Sequence, residues 1–152
     1  MKKVLLILVG LIFILCLTGC GKKKITVDEL LNVTGKLGYI PTDVTTEVHQ
    51  KYPKIVQSIY LTDNDGIEIE FSILEDINST LNKYNIKQKE VEKYKQDGFL
   101  YSTESTTNYE SYALNTKEKY FYISRVDETY LYIKCDYEDK EEIVSFVEEI
   151  GY

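Results

Sequence analysis

The feature that most limits what this chain can fold into is the segment Val4 to Leu17. It is almost wholly apolar, broken only by Gly10 and Cys16, and it follows the basic start Met1-Lys2-Lys3. It ends in the small residues Thr18 and Gly19. A charged start, an apolar core and a small-residue end are the parts of a secretory signal peptide. About 14 apolar residues make a helix of roughly 21 Å, short of the ~30 Å hydrocarbon core of a bilayer. A signal segment is therefore expected in preference to a stop-transfer helix, and folding is left to the residues that follow.

The run Leu17-Thr18-Gly19-Cys20 resembles the lipobox of bacterial lipoproteins. The resemblance implies that Cys20 is thioether-linked to a diacylglycerol and becomes the first residue of the mature protein. The competing reading is an uncleaved N-terminal helix with a chance cysteine. Two acyl chains are enough for stable anchoring. The expected organisation is a signal peptide over 1–19, a lipidated basic tether over 20–25 and a single α+β domain over 26–152. In the tether, Lys22, Lys23 and Lys24 stand beside anionic head groups or serve as a solubilising spacer.

Without residues 1–19 the chain keeps 133 residues, enough for one domain with one core. All 25 acidic residues remain while Lys2 and Lys3 leave, so the mature net charge falls from −7 to near −9. An acidic body with no basic stripe disfavours nucleic acid as a partner. With Cys16 removed and Cys20 acylated, Cys135 is the one remaining thiol, so an internal disulfide is excluded and the core must hold the domain together.

Thr26-Val27-Asp28-Glu29 offers a capping box for a helix over 26–37, with Val27, Leu30, Leu31, Thr34 and Leu37 as its apolar stripe and Gly38 as its stop. Residues 43–52 are ambiguous: Val44 and Val48 are helically spaced, whereas Val44-Thr45-Thr46 favours extension. Ile55 to Leu74 reads as a hairpin about Asp63-Asn64-Asp65-Gly66, and the acid spacing of that turn does not fit a calcium loop. A second helix is expected over 76–96, strands over 100–135 and a third helix over 139–150. The order favours an antiparallel sheet with about three helices packed on one face. Each helix ends in Gly followed by an aromatic, at Gly38-Tyr39, Gly98-Phe99 and Gly151-Tyr152.

Three stretches, Asn108-Tyr109-Glu110-Ser111-Tyr112, Ser124-Arg125-Val126-Asp127-Glu128-Thr129 and Ile150-Gly151-Tyr152, resemble a group of small extracytoplasmic lipoproteins of low-GC Gram-positive bacteria. That resemblance implies architecture and a location at the outer face of the cytoplasmic membrane, and carries no mechanism. The usual turn of the group is Val-Asp-Asn-Thr, and Glu128 replaces its Asn here.

Catalytic chemistry has little to stand on. His49 is the only histidine, without a recognisable nucleophile or metal partner, and Cys135 sits in an apolar strand. No metal, cofactor or catalytic residue is expected. Arg125, the only arginine, is either a strand-end partner of an acid or a tyrosine, or an anion clamp. The binding candidate is a tyrosine face. A two-residue turn at Asp127-Glu128 pairs Val126 with Thr129 and groups Tyr122 with Leu131 and Ile133. An odd-length loop instead leaves Tyr120, Tyr122, Tyr130 and Tyr132 together on one face, beside Arg125. The functional expectation is a non-catalytic binding or interaction module for wall glycan, peptide or an envelope protein. The alternatives are an envelope hydrolase and a purely structural or stress-linked envelope protein.

Overall fold

A computed structural model describes residues 21–63 and 66–152. The expected signal segment, the acylated Cys20 and the turn residues Asn64 and Asp65 lie outside the described residues. The rest is α+β, with seven strands in one antiparallel sheet. Helix α1 is Val27–Thr34, extended by a 3₁₀ turn at Gly35–Leu37. Strand β1 (Ile40–Asp43) and helix α2 (Thr45–Lys51) follow, then the hairpin β2 (Ile55–Thr62) and β3 (Glu68–Leu74). Helix α3 is Ile77–Glu92. Strands β4 (Leu100–Ser105), β5 (Tyr109–Asn115), β6 (Lys119–Val126) and β7 (Thr129–Asp136) form a meander that leads to α4 (Lys140–Glu149). The sheet order is β1-β2-β3-β7-β6-β5-β4, so β3 pairs with β7 and α3 crosses over the sheet to reach β4.

Local chemistry accounts for most of these boundaries. Thr26 Oγ1 accepts from the Glu29 amide at 3.2 Å, and Glu29 Oε2 accepts from the Thr26 amide at 2.8 Å, which completes the capping box. Gly38 ends the first helical unit at φ +80°, a conformation costly for any side chain with a Cβ. Asp76 caps α3 by accepting from the Ser79 amide at 2.8 Å, and α3 runs unbroken through Tyr84-Asn85. Residues 43–52 resolve into the end of β1 followed by α2. The Thr45 amide bonds Asp43 Oδ1 at 2.9 Å and the Val44 amide bonds the Ser58 carbonyl at 3.0 Å. Those bonds start the helix despite the β-branched Thr45-Thr46.

Among the described residues there are four α-helices, and they cover both faces of the sheet, which corrects the expectation of helices packed on one face. On the first face Val27 and Leu30 of α1 and Ile143, Phe146 and Val147 of α4 join Ile69, Phe71, Leu131 and Ile133 in one core. On the second face Tyr84 and Val91 of α3 join Leu114, Phe121, Ile123 and Tyr130, with Val48 of α2 packed alongside. Strand β6 is buried continuously from Tyr120 to Val126, because alternate side chains enter two different cores. At about 25 cal/mol per Å², burying a Leu, Ile or Phe contributes roughly 1.5–3 kcal/mol, so both cores contribute substantially to stability.

Polar groups also enter the second core. Lys83 of α3 has a side chain only 3 % exposed; its Nζ lies 2.7 Å from Glu70 Oε1 and sits over the rings of Tyr52 and Tyr130 at 4.2 and 4.8 Å. Burial lowers the Lys83 pKa, against the opposing pull of Glu70. Ser58 and Ser72 hydrogen-bond at 2.9 Å across β2 and β3. These contacts fix the position of α3 and of the hairpin on the sheet.

Candidate functional site

The register of β6 and β7 decides the tyrosine question. The turn is two residues long, with Val126 opposite Thr129 and Asp127 at φ +50°. Asp127 tolerates that angle because its amide donates to the Asn108 carbonyl at 2.9 Å and its carboxylate accepts from Asn108 Nδ2 at 3.3 Å. Tyr120 and Tyr122 then stand opposite Cys135 and Ile133 on the first face, while Tyr130 and Tyr132 stand opposite Arg125 and Ile123 on the second. The four tyrosines do not share a face, and the odd-length alternative does not form.

Tyr120, Tyr122 and Tyr130 are buried core residues. Burial raises the phenol pKa of all three, that of Tyr120 to about 12. Tyr122 shares a hydrogen bond with the Tyr109 hydroxyl at 3.1 Å. Arg125 is buried as well, and its Nη2 donates to Glu110 Oε1 at 2.7 Å from the neighbouring strand. It is a structural partner of an acid, closed to an external anion. Its Nε and Nη1, with the hydroxyls of Tyr112 and Tyr130, make no hydrogen bond among the described residues. Of the expected tyrosines, Tyr132 lines a surface hollow.

The reactive candidates are similarly placed. Cys135 is fully buried, and burial pushes its thiol up to about 12, which keeps it un-ionised. His49 Nδ1 lies 3.3 Å from the Ile55 carbonyl at the end of α2. Among the described residues no group of three or more His, Cys, Asp or Glu side chains could hold a metal ion. No described helix is long and apolar enough to cross a membrane.

The three stretches that carried the second resemblance meet at one end of the strands, and residues 21–25, the expected tether, pack there. Lys22 Nζ donates to the Tyr152 carbonyl at 2.8 Å and lies 5.2 Å from the centre of the Tyr109 ring. Asn108 Nδ2 donates to the Lys22 carbonyl at 2.8 Å. Lys24 pairs with Glu128 at 2.7 Å and Lys23 with Glu29 at 3.0 Å. Ile25 is buried, and Tyr152 is buried with its hydroxyl donating to Thr129 Oγ1. The tether lysines are thus held by the body. The exposed pairs of Lys23 and Lys24 are screened by solvent and contribute little; the buried Ile25 and the Lys22 contacts anchor the segment more firmly.

The opposite end of the same strands carries a cleft that no sequence pattern announced. One hollow of about 390 Å³ lies between the residues after α3 and the β5–β6 turn, with Tyr94, Phe99 and Phe121 as its apolar lining and Lys117, Lys119 and Lys134 at its rim. A second, of about 680 Å³, shares Tyr94, Phe121 and Lys134 with it and adds Tyr132, Lys87 and Lys93. Tyr94 stacks on Phe121 at a centroid distance of 5.1 Å, and Lys87 Nζ lies 4.7 Å from the Tyr132 ring. Lys134 pairs with Glu68 at 2.8 Å and Lys87 with Glu90 at 2.9 Å. Lys93 and Lys117 make no ion pair within 4 Å among the described residues. Aromatic walls with a few converging charged groups form the usual lining of a ligand site. From Lys119 to Val126 the strand covers about 23 Å at ~3.3 Å per residue, which separates the cleft from the docked tether.

No protein-family model, curated protein or solved structure matched this chain.

Proposed function

We propose that this chain is a lipid-anchored, non-catalytic binding module at the outer face of the cytoplasmic membrane, and that it presents its distal cleft away from the lipid. One observation carries the reading: the tether docks at one end of strands β5 to β7 and the aromatic, lysine-rimmed cleft opens at the other. A lipid on Cys20 would sit next to Gly21, so the end bearing Asn108, Asp127 and Glu128 faces the bilayer. The cleft then faces the wall. The inert thiol of Cys135 and the closed Arg125 pair leave binding as the chemistry the surface supports.

The test is site-directed photo-crosslinking in living cells. A benzoylphenylalanine at Tyr94, in the cleft, is compared with one at Val56, exposed near the tether end of β2. The reading expects a discrete adduct from position 94 alone, and release of the protein from the membrane by Cys20→Ala. Equal labelling at both positions would refute the cleft as the site. Retention of Cys20→Ala in the membrane would refute the anchor.

A further inference from the structure

Strand β4 closes one edge of the sheet and is exposed at all six positions. Leu100 is 74 % and Tyr101 54 % exposed. Natural edge strands are blunted by lysine, proline, a bulge or shortness. The other edge, β1, follows that rule with four residues and Pro41. Leu100-Tyr101-Ser102-Thr103-Glu104-Ser105 contains no lysine, proline or bulge; its one charged residue is Glu104, Lys95 Nζ lies 3.4 Å from the centre of the Tyr101 ring, and its register on β5 is unbroken.

The outward-pointing groups follow from the ladder. The Thr106 amide donates to the Tyr109 carbonyl at 2.8 Å, so that pair is bonded inward. Antiparallel bonding alternates along the strand. Glu104, Ser102 and Leu100 therefore bond β5, while Tyr101, Thr103 and Ser105 turn their N–H and C=O groups to the open edge. The edge also runs into the cleft. A hollow of about 420 Å³ at the start of β4 shares Phe99, Thr116 and Lys117 with the first cleft hollow and extends to Leu100.

Resting on the reading of the cleft as the ligand site, we propose that its occupant is an extended acidic peptide. The peptide adds to β4 as an eighth strand and carries its carboxylates to the cleft lysines. Main-chain donors and acceptors that stand in register and are unpaired among the described residues select a polypeptide, since a polyphosphate or a glycan cannot continue the ladder. The charge selects an acidic one. Of the five lysines that line the two cleft hollows, Lys134, Lys87 and Lys119 pair with Glu68, Glu90 and Asp136, while Lys93 and Lys117 make no ion pair within 4 Å among the described residues and are left to meet carboxylates, on a chain whose net charge is −7. A second copy of this chain is the poorer occupant. Antiparallel pairing of β4 with itself places the two docked tethers at opposite ends of the joined sheet, so two anchors could not reach one bilayer with the strands upright.

The experiment uses the full lipidated chain in nanodiscs and three probes: a fluorescein-labelled octapeptide alternating Thr and Glu, its Thr–Lys counterpart, and inorganic polyphosphate. Thr103→Pro removes the central outward donor while the inward ladder to β5 stays, because proline is tolerated on an edge whose N–H faces solvent. Circular dichroism and the thermal midpoint check that it folds. The Lys93→Glu, Lys117→Glu double variant reverses charge without touching the edge. The proposal expects the Thr–Glu peptide to bind and the Thr–Lys peptide not to, with each variant weakening binding at least tenfold. Binding that needs the lysines but survives Thr103→Pro, with polyphosphate competing fully, overturns strand addition and leaves the cleft reading intact. Binding by no probe, or binding unaffected by the lysine variant, overturns both. A concentration-dependent dimer abolished by Thr103→Pro assigns the edge to a second copy and also overturns the proposal.

Discussion

Substituting Glu70→Gln tests the second core at its most expensive contact. Lys83 is 3 % exposed, and its 2.7 Å bond to Glu70 is the one ion pair it makes within 4 Å among the described residues. At an effective dielectric constant near 20, two charges at that separation attract by about 6 kcal/mol before desolvation is subtracted. Removing one partner of a buried pair costs about 3–5 kcal/mol, because the other charge stays buried without compensation. The glutamine oxygen can still accept from Nζ, and the rings of Tyr52 and Tyr130 still face the ammonium, so the lower end applies. A loss of about 3 kcal/mol, with a urea m-value near 2 kcal/mol/M, moves the unfolding midpoint down by about 1.5 M. The double variant Lys83→Met, Glu70→Gln removes both charges and should stay within about 1 kcal/mol of wild type. The pH dependence has a definite sign. Burial holds the folded pKa of Lys83 below its unfolded value of 10.5, and losing Glu70 lowers it further. Between the two values the unfolded state binds the extra proton, so stability rises with pH. The penalty of Glu70→Gln should therefore shrink as pH rises from neutral toward 10.5. A loss under 1 kcal/mol, or a penalty that grows over that range, would refute the buried ammonium.

Other consequences follow from the same packing. Burial raises the phenols of Tyr120, Tyr122, Tyr130 and Tyr152, so their stabilising contribution is complete below the unfolded pKa of 10 and is lost as pH rises above it. Absorbance titration at 295 nm should show these four ionising only with unfolding. Thr26→Ala removes the acceptor for the Glu29 amide and should cost about 1 kcal/mol in urea unfolding, through loss of the α1 cap. Gly38→Ala meets no atom within 4 Å but must adopt φ +80°, and should cost about 1 kcal/mol or slightly more. Lys22→Ala loses the bond to the Tyr152 carbonyl and the Tyr109 contact, and trypsin should then cut at Lys23 or Lys24 faster while the core stays intact.

Much of the fold could be read from local chemistry, and what could not has identifiable reasons. The Thr26 capping box, the β2–β3 pairing and the glycine ends at Gly38-Tyr39 and Gly151-Tyr152 are signals within a few residues of one another, and each formed; Gly98-Phe99 did not end its helix, because α3 stops six residues earlier at Glu92. The second covered face was written in Tyr120-Phe121-Tyr122-Ile123, whose lack of polar alternation marks a strand buried on both sides. Reading those tyrosines as one exposed row depended on a register set by the Asp127 angle and by Asn108, nineteen residues away in sequence. The pairs Lys83–Glu70 and Arg125–Glu110 join separate elements, and no spacing rule reports them. The cleft was hidden for the same reason. Its lysines come from α3 and the residues after it, the β5–β6 turn, the start of β6 and β7, and only the antiparallel register brings Lys134 beside Glu68 and Tyr132 near Lys87.

The account turns on the two ends of the strands facing opposite ways, and one measurement addresses that directly. Single nitroxide labels at Lys117 in the cleft and at Glu128 beside the tether, on the lipidated chain in nanodiscs, are each exposed to a lipid-bound paramagnetic relaxer. The account predicts strong relaxation at 128 and almost none at 117, given about 23 Å of strand between those ends. Equal relaxation at the two positions, or stronger relaxation at 117, would contradict it.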